Sequence, residues 1–260
     1  MPELPEVEQV RRILMRTVGL TITEVSVLDE GILDVSPSKL SRALCDRTVM
    51  DIKRHGKQLA VVLDDGSVLA MHLGMTGDVV ISDQQDQARH VRLVIRFDSG
   101  VYLSFIDQRK FGVVGIAPSF DDLILEKGLG PDALEIGPRK FEARVGDHHR
   151  AIKTTLLDQK VLAGVGNLYS DEMLFQCRIN PKVKADSITP RKMKCLHRAM
   201  MDILVRSIEE RTDFERLPNN YLLHGRVKDG RCPRCASQWT IEDINGRTAF
   251  YCPKCQRILQ

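Results

Sequence analysis

The chain lacks any long hydrophobic run. None of its apolar stretches approaches the roughly 20 residues that a membrane-spanning helix needs, and no signal peptide precedes the acidic N-terminus. These absences argue against a membrane or secreted protein, and we expect a cytoplasmic location. The 260 residues, of which 43% are hydrophobic and 28% charged, are ordinary for a globular chain of one large or two modest domains.

The chain also has little net charge, +3 at pH 7, but this charge is unevenly distributed. Residues 1–130 hold 15 Lys and Arg against 19 Asp and Glu, whereas residues 131–260 hold 23 against 16. A basic C-terminal half is typical of a domain that faces a polyanion. The asymmetry is weak evidence by itself, because many domains of this charge bind no polyanion.

Cysteines are few, and four of the seven form two pairs. Each pair is a CxxC motif, and sixteen residues separate the two motifs. This spacing suits tetrahedral ligation of one structural zinc ion by four thiolates. Two disulfides are the alternative, which a reducing cytosol disfavours. The predicted ligands are Cys232, Cys235, Cys252 and Cys255, and the remaining cysteines, Cys45, Cys177 and Cys195, are isolated.

The first half of the chain is rich in strand-like segments. A short amphipathic helix is predicted from Pro5, and short apolar runs follow from residue 22 to residue 117. Two pairs of runs flank tight turns and predict hairpins, Gln58–Leu63 with Ser67–His72 and Val91–Phe97 with Val101–Ile106. The pattern predicts an α+β fold in which residues 1–130 form a β-sandwich-like domain with helices.

The second half is predicted to be helical. Ala151–Asp158 and Asn167–Cys177 predict two helices joined by a turn with two glycines, and Asn167 is the expected cap of the second helix. A longer helix follows Thr189, so residues 131–225 are predicted to form a helical domain. In residues 226–260, Asn245-Gly246 lies between two strand-like runs and predicts a zinc-bound β-hairpin.

The N-terminus carries a candidate nucleophile. A small second residue such as Pro2 permits removal of Met1, which would expose a secondary amine able to form an iminium ion with a sugar aldehyde. An α-amino group titrates near about 8, so roughly a tenth of it is neutral at pH 7. Two alternatives stay open: Pro2 only opens the helix, or Met1 is retained and the proline nitrogen is an amide.

These segments together resemble the formamidopyrimidine-DNA glycosylase / endonuclease VIII family of base-excision repair enzymes over nearly the whole chain. Leu4 and the block Arg109–Phe111 favour the formamidopyrimidine branch. The motifs that carry the resemblance are, in order, Pro2–Glu8, Arg54–Lys57, His72–Gly77, Asp107–Gly112, Leu157–Gln159, Ala163–Tyr169 and Arg247 ahead of Phe250–Cys252.

The resemblance implies a bifunctional DNA glycosylase and AP lyase. Such an enzyme flips a damaged base out of the duplex, excises it and cleaves the abasic site by β,δ-elimination. By similarity, Pro2 would attack C1′ of the damaged nucleotide, and Glu3 would donate and shuttle protons. Lys57 would assist β-elimination, and Arg247 would support δ-elimination through a phosphate. The resemblance also implies that the helical domain is a helix–two-turn–helix domain.

The same resemblance implies a set of DNA-binding residues. Apolar wedges unstack and bend DNA, and Met75, Arg109 and Phe111 would fill the space that the flipped base leaves. Without the resemblance, we would interpret Met75 as a core side chain and Arg247 as an exposed arginine at a turn.

Three further residues match positions where the family contacts DNA. Asn167 would bind a phosphate from a helix N-terminus, although a plain capping role is compatible with this. His90 and His148 are the other two. The family usually has a lysine where this chain has His148, so Arg150 is an alternative source of that charge.

The segment 212–231 bears on the substrate. In family members that process 8-oxoguanine, the corresponding stretch is longer, contains glycine and folds over the flipped base, whereas here it is shorter. We expect double-stranded DNA with oxidised bases or abasic sites as the partner of a monomeric protein, which would be associated with the nucleoid in a bacterium. Among the oxidised bases, we favour oxidised purines such as 8-oxoguanine and formamidopyrimidines. The alternatives are the same chemistry on oxidised pyrimidines and a non-catalytic, zinc-dependent binder of kinked or damaged DNA.

Overall fold

A computed structural model of the chain describes residues 1–84 and 89–258. The chain folds into two compact units. The first unit comprises Met1–Pro2 and Glu6–Gly128, and the second comprises Glu3–Pro5 and Leu129–Gln260. The second unit therefore takes in both the predicted helical domain and the predicted zinc hairpin, and the boundaries after residues 130 and 225 stay predictions.

The first unit is a β-sandwich with short helices, as the alternating strand pattern predicts. Its strands are β1 (Ile22–Val27), β2 (Val49–His55), β3 (Gln58–Leu63), β4 (Val68–His72), β5 (Gly77–Ser82), β6 (Val91–Phe97), β7 (Tyr102–Asp107) and β8 (Val113–Ala117). They form two four-stranded antiparallel sheets with the orders β1-β6-β7-β5 and β2-β3-β4-β8. The helices are α1 (Leu4–Leu14), of which residues 6–14 belong to this unit, α2 (Pro37–Leu44) and α3 (Phe120–Glu126).

Both predicted hairpins of this unit are confirmed. Strands β3 and β4 pair from Val62 opposite Val68 to Gln58 opposite His72, and β6 pairs with β7 in the same antiparallel manner. The inward side chains of the two sheets share one hydrophobic cluster, to which Leu59 and Leu93 each contribute from a different sheet. The core of the unit therefore lies between the sheets.

The second unit is helical around a separate core. Its helices are α4 (Pro138–Gly146), α5 (Ile152–Leu157), α6 (Asn167–Gln176) and α7 (Pro190–Glu209). The apolar stripe of α7 is buried, as its helical spacing predicts, and Met193, Leu196 and Met200 are core residues. Helix α4 is not predicted from the sequence, because Phe141 and Val145 are its only buried side chains.

A small hairpin follows the helices in the second unit. It consists of β9 (Thr240–Ile244) and β10 (Arg247–Tyr251), paired from Ile244 opposite Arg247 to Thr240 opposite Tyr251. Trp239 packs edge-on against Phe175 of α6 with 5.6 Å between ring centroids, and its Nε1 donates to the Gly225 carbonyl. The hairpin therefore has its own apolar contact with the helical part of the unit.

Two cysteines that are isolated in the sequence meet in the fold. Cys177, at the end of α6, forms a disulfide with Cys195 of α7. The two cysteines are 18 positions apart in the sequence, so the sequence gives no sign of this pairing, which arises because α6 and α7 pack against each other.

Among the residues that the structure describes, no helix is both long enough and apolar enough to cross a bilayer.

Candidate functional site

Glu3 is anchored at the N-terminus of helix α6. Its side chain is almost fully buried, and its Oε1 and Oε2 accept hydrogen bonds from the Leu168 amide at 2.8 Å and the Tyr169 amide at 3.3 Å. These first-turn amides have no partner inside the helix, and they lie at the positive end of its dipole. The carboxylate next to Pro2 in the sequence is thus held in one place by backbone donors.

Two glycines before α6 permit this approach. A Cβ on Gly166 would lie 2.2 Å from the Glu3 carboxyl carbon, and a Cβ on Gly164 would lie 2.5 Å from a Leu4 methyl carbon. Gly164 also has φ +111°, and its carbonyl accepts the Leu4 amide at 3.1 Å. The glycine turn that the sequence places before Asn167 therefore has a specific function, which is to receive Glu3 and Leu4.

Asn167 begins α6 but does not cap it. The N-cap is Gly166, and the buried Oδ1 of Asn167 has no hydrogen-bond partner within the described residues. The predicted capping role is wrong, because the helix starts one residue earlier than the sequence pattern indicates. Among the described residues, Asn167 therefore carries a buried acceptor without a partner at the N-terminus of α6.

A buried charge network lies beside this turn. Lys153 of α5 is fully buried, forms an ion pair with Asp171 of α6 and also contacts the Asn167 carbonyl at 3.4 Å. Burial, together with Arg226, lowers the pKa of Lys153, although Asp171 and Glu3 oppose this shift. The network is not predicted from the sequence. Its one sign there is a lysine among the apolar residues of a short helix.

Asp171 joins this network to the zinc hairpin. Its Oδ2 accepts hydrogen bonds from Arg226 Nη2 at 2.8 Å and from the Phe250 amide of β10 at 3.2 Å. The Arg226 guanidinium also lies 4.5 Å from the centroid of the Phe250 ring. Helices α5 and α6 and strand β10 therefore share one buried carboxylate, which is costly to disturb because its partners would be left unpaired.

The four paired cysteines converge, as their spacing predicts. None of the four forms a disulfide, and their Sγ atoms lie within 4.8 Å of one another. The Sγ distances from Cys235 to Cys252 and Cys255 are 3.4 and 3.6 Å, and that from Cys232 to Cys255 is 3.8 Å. Thiolates that each lie about 2.3 Å from a tetrahedral zinc ion have a comparable separation. The group therefore fits a metal, and the alternative of two disulfides is not realised.

Arg247 lies beside the hairpin tip. The turn residues Asn245 and Gly246 have φ +51° and +78°, as expected for an Asn-Gly turn. A cavity of about 230 Å³ adjoins the tip. Its lining residues are Arg150, Thr154, Leu157, Asp158, Ile244, Asn245 and Arg247.

The structure thus brings Arg150 and Arg247 to one cavity, and His148 does not line it. Arg150 Nη2 donates to Asp158 at 2.6 Å, while its buried Nε has no partner within the described residues. Arg150 is therefore better placed than His148 to meet an anion next to Arg247.

In the first unit, Asp107 organises the loop that presents Arg109 and Phe111. The fully buried Asp107 carboxylate accepts the Arg109 amide at 3.1 Å and the Gly112 amide at 2.7 Å, and Thr76 donates its hydroxyl to it. Burial alone would raise the pKa of Asp107, but these donors lower it below its ordinary value. The Asp107 amide in turn donates to the His90 carbonyl at 3.0 Å, so His90 adjoins the same loop.

The three predicted wedge residues lie together in this unit. A Cβ on Gly74 would lie 2.3 Å from the Phe111 carbonyl carbon, so the segment before Met75 contacts the segment at Phe111 directly. Phe111 is 52% exposed, and the Arg109 guanidinium lies 4.9 Å from its ring centroid. Met75 is half-buried and outside the core clusters, contrary to its interpretation as a core side chain.

Pro2 and Lys57 belong to the first unit. Pro2 is half-buried, and Lys57 lies in the tight turn between β2 and β3. Its charge helps to lower the pKa of His72, a shift that is mainly due to burial of the imidazole.

Two family models match most of the chain. They are the formamidopyrimidine-DNA glycosylase N-terminal domain at residues 1–114 and the formamidopyrimidine-DNA glycosylase H2TH domain at residues 128–216. The formamidopyrimidine-DNA glycosylase of Pelotomaculum thermopropionicum is 38% identical over 276 residues, covering 99% of this chain and 100% of the relative. That of Bacillus subtilis is 32% identical over 275 residues, covering 98% and 99%.

The chain belongs to the formamidopyrimidine-DNA glycosylase family.

Solved structures of the Lactococcus lactis formamidopyrimidine-DNA glycosylase agree with this assignment. One, bound to DNA containing an AP site, superposes with a TM-score of 0.89 at 27% identity and covers 98% of this chain and 100% of that chain. Another, with FAPY-dG-containing DNA, has a TM-score of 0.88 at 28% identity, with coverage of 98% and 100%.

Membership of the formamidopyrimidine-DNA glycosylase family confirms the predicted fold class and places the chain among the DNA-binding glycosylases of DNA repair. The helices α4 to α7 correspond to the matched H2TH domain. The four cysteines lie beyond residue 216 and outside both matched ranges, so the metal site is supported by its own geometry.

Proposed function

We propose that this chain is a bifunctional DNA glycosylase and AP lyase that removes oxidised purines, formamidopyrimidines and 8-oxoguanine, from duplex DNA. The observation that carries the proposal is the Glu3 carboxylate, held by the Leu168 and Tyr169 amides one residue after Pro2. A plain helix-opening role for Pro2 gives no reason for a buried, backbone-anchored carboxylate beside it.

The proposed chemistry uses the nitrogen of Pro2 after removal of Met1. The neutral amine attacks C1′, the bond from C1′ to the base breaks, and its electron pair leaves with the base. The departing base takes a proton from solvent. The Pro2 amine passes its own proton to the Glu3 carboxylate, and Glu3 delivers that proton to O4′ as the C1′–O4′ bond breaks and the nitrogen lone pair forms the iminium ion. Anchoring by two amides keeps the Glu3 carboxyl oxygens in place for this transfer.

Strand cleavage follows from the same intermediate. The iminium ion acidifies C2′, whose proton is removed as the C3′–oxygen bond breaks and the 3′ phosphate leaves. Lys57 assists this β-elimination and steadies a phosphate. Loss of the C4′ proton then releases the 5′ phosphate by δ-elimination, which Arg247 supports through charge-assisted hydrogen bonds to the departing group.

We propose zinc as the metal of the four-cysteine site. Four thiolate ligands would leave no open coordination position, so the ion would be structural. It would fix the base of the hairpin that carries Arg247.

Residues of both units are proposed to contact DNA. In the first unit, Met75, Arg109 and Phe111 would fill the space left by the flipped base, and His90 would contact the backbone. In the second, Asn167 would meet a phosphate at the N-terminus of α6, with His148 or Arg150 adding a cation. The DNA bound by the structural relatives contains an AP site or FAPY-dG, which supports damaged duplex DNA as the partner.

The segment 212–231 supports a second candidate substrate. It forms two short turns, Phe214–Arg216 and Leu222–Gly225, and its apolar side chains Leu217 and Leu222 are buried. A segment this short, with Leu217 and Leu222 held in the core, offers little chain to cover a flipped 8-oxoguanine. Pocket shape decides which base is accepted. Oxidised pyrimidines are therefore the alternative substrate class.

Comparison of excision rates separates these two substrates. Matched duplexes would carry 8-oxoguanine, a formamidopyrimidine or 5-hydroxycytosine. Our proposal expects faster release of the purine lesions, with the formamidopyrimidine first, and preferential release of 5-hydroxycytosine would replace it with the alternative.

Borohydride trapping tests the chemistry itself. Protein incubated with abasic-site DNA and borohydride should form a covalent adduct, because reduction fixes the iminium ion. Pro2→Gly should weaken or abolish the adduct. Intact-mass measurement must first show that Met1 is absent, and correctly processed protein that forms no adduct would overturn the proposal.

A further inference from the structure

A single side-chain hydrogen bond ties the tip of the zinc hairpin to helix α5. The Asn245 side chain donates its Nδ2 proton to the Thr154 hydroxyl at 3.0 Å. Both residues belong to the second unit, and both line the cavity next to Arg247. We call this hydrogen bond the tip latch.

The hairpin needs such support because the metal site holds only its base. Strands β9 and β10 have five residues each, so the tip lies about 16 Å along the strand direction from the strand ends near the metal. An isolated two-stranded hairpin is marginally stable in water. Within the turn, the Gly246 amide donates to Asp243 Oδ1 at 2.8 Å, which fixes the local turn but not its position on α5.

The tip latch lies close to Arg247 along the chain. Asn245 precedes Arg247 by two residues, with a positive-φ glycine between them. Thr154 lies in α5, four residues after Arg150, which precedes the helix and is the other cation of the cavity. Fixing Asn245 on Thr154 therefore constrains the backbone from which Arg247 extends, on the side of the cavity that Arg150 also lines.

We infer that Thr154 and Asn245 are positioning residues for Arg247. Through the tip latch they hold the Arg247 guanidinium near Arg150, where both cations bind the DNA phosphate that leaves in δ-elimination. This inference rests on the proposed lyase function and adds to it two residues that touch neither the sugar nor the base. Preorganised donors stabilise developing charge without reorganisation during the reaction.

The inference predicts an effect on one chemical step. In δ-elimination, the C4′ proton passes to a solvent base, and the electron pair of the broken C5′–oxygen bond leaves with the phosphate. Loss of the latch would misplace Arg247 and slow this step. Iminium formation at Pro2 and β-elimination precede it and should continue unchanged.

The ratio of δ- to β-elimination products on abasic-site DNA, measured under single-turnover conditions, tests this. Thr154→Val removes the acceptor at nearly constant volume, and Asn245→Gly removes the donor in a residue that tolerates positive φ. Each should lower the ratio roughly fivefold, as for loss of one ordinary hydrogen bond. The double variant should have the same product ratio as either single variant. Thr154→Ser keeps the hydroxyl and should retain the wild-type ratio.

Three controls separate loss of the positioning role from unfolding of the hairpin and from failure of the proposed lyase function. Thr23→Val makes the same exchange at an exposed position of strand β1 and should leave the ratio unchanged. Zinc content and Trp239 fluorescence report whether the hairpin is intact in each variant. Borohydride trapping reports the proposed function independently of the δ step.

An unchanged product ratio in Thr154→Val and Asn245→Gly would overturn the positioning role, and so would a loss of zinc that accompanies the lower ratio. Additive effects in the double variant would also contradict it. Absence of trapping in the wild-type protein would instead refute the proposed lyase function, whatever the latch does.

Discussion

At the residue scale, Glu172 of helix α6 is a carboxylate whose pKa is strongly raised by its environment. It is fully buried, and its Oε2 accepts the Leu223 amide at 2.9 Å while Gln176 donates to its Oε1. Burial raises the pKa of Glu172 to about 7, although hydrogen bonds from Gln176 and Leu223 and the charge of Arg234 oppose the shift. This side chain holds the segment 222–223 against α6, within the stretch that bears on lesion preference.

The raised pKa of Glu172 makes stability depend on pH. The folded state binds the proton more tightly than the unfolded state, whose ordinary value is 4.5. This contribution is therefore fully present below pH 4.5 and is lost as the pH rises through about 7. From pH 5.5 to pH 8 the wild type should lose about 2 kcal/mol that Glu172→Gln does not lose.

Urea unfolding of both proteins at several pH values measures this difference. Other titrating groups cancel when the variant is compared with the wild type. Parallel stability curves for the two proteins would show that Glu172 does not titrate in this range.

At the scale of elements, the glycine turn before α6 can be tested with one methyl group. Gly166 has φ −128°, so its backbone accepts alanine, but the new Cβ would lie 2.2 Å from the Glu3 carboxyl carbon. Gly166→Ala should displace Glu3 from the Leu168 and Tyr169 amides and lower single-turnover base excision at least roughly tenfold, because proton transfer requires close placement.

Gly137→Ala is the matched control for this exchange. Gly137 is also a helix N-cap with negative φ, and a Cβ there would meet no atom within 4 Å. Its excision rate should equal that of the wild type. If Gly166→Ala were equally active, the anchored position of Glu3 would not be needed for excision.

Metal removal tests the hairpin as an element. Trp239 is the only tryptophan of the chain, and it is buried against Phe175 beside Cys232 and Cys252. Chelation of the metal should unfold β9 and β10, because metal binding and folding are coupled in such small modules. Tryptophan emission should shift to the red while the helical circular dichroism largely remains.

Addition of zinc should restore the original emission. Metal-free protein with unchanged Trp239 emission would show that apolar packing on α6 is sufficient to hold the hairpin. Metal analysis of the isolated protein would identify the native ion directly.

At the scale of the whole molecule, the uneven charge predicts how DNA binding responds to salt. Affinity for duplexes with a stable abasic analogue should fall linearly with the logarithm of salt concentration, because bound phosphates release counterions. Arg247→Ala should reduce the magnitude of that slope by about one. Lys39→Ala, an exposed cation of α2 outside the proposed sites, should leave the slope unchanged.

Fluorescence anisotropy titrations from about 50 to 200 mM salt cover the useful range. An Arg247→Ala slope equal to that of the wild type would mean that the hairpin tip does not neutralise a phosphate. The proposed role in δ-elimination would then lose its electrostatic basis.

Local features of this protein could be predicted from its amino-acid order. The Asn245-Gly246 turn, the two hairpins of the first unit and the spacing of the paired cysteines depend on neighbouring residues, and turn chemistry and periodicity express them directly. The order of motifs from Pro2 to Arg247 was likewise sufficient to indicate the family.

The meeting of distant groups, in contrast, is a property of the folded chain. Folding places Glu3 on the Leu168 and Tyr169 amides, joins Lys153 to Asp171 and Cys177 to Cys195, and brings Arg150 to the cavity of Arg247. Packing between elements produces these contacts, and no local propensity encodes them. For the same reason the predicted cap of α6 at Asn167 is wrong: the residue type favours a cap, but the approach of Glu3 requires glycine at the cap position.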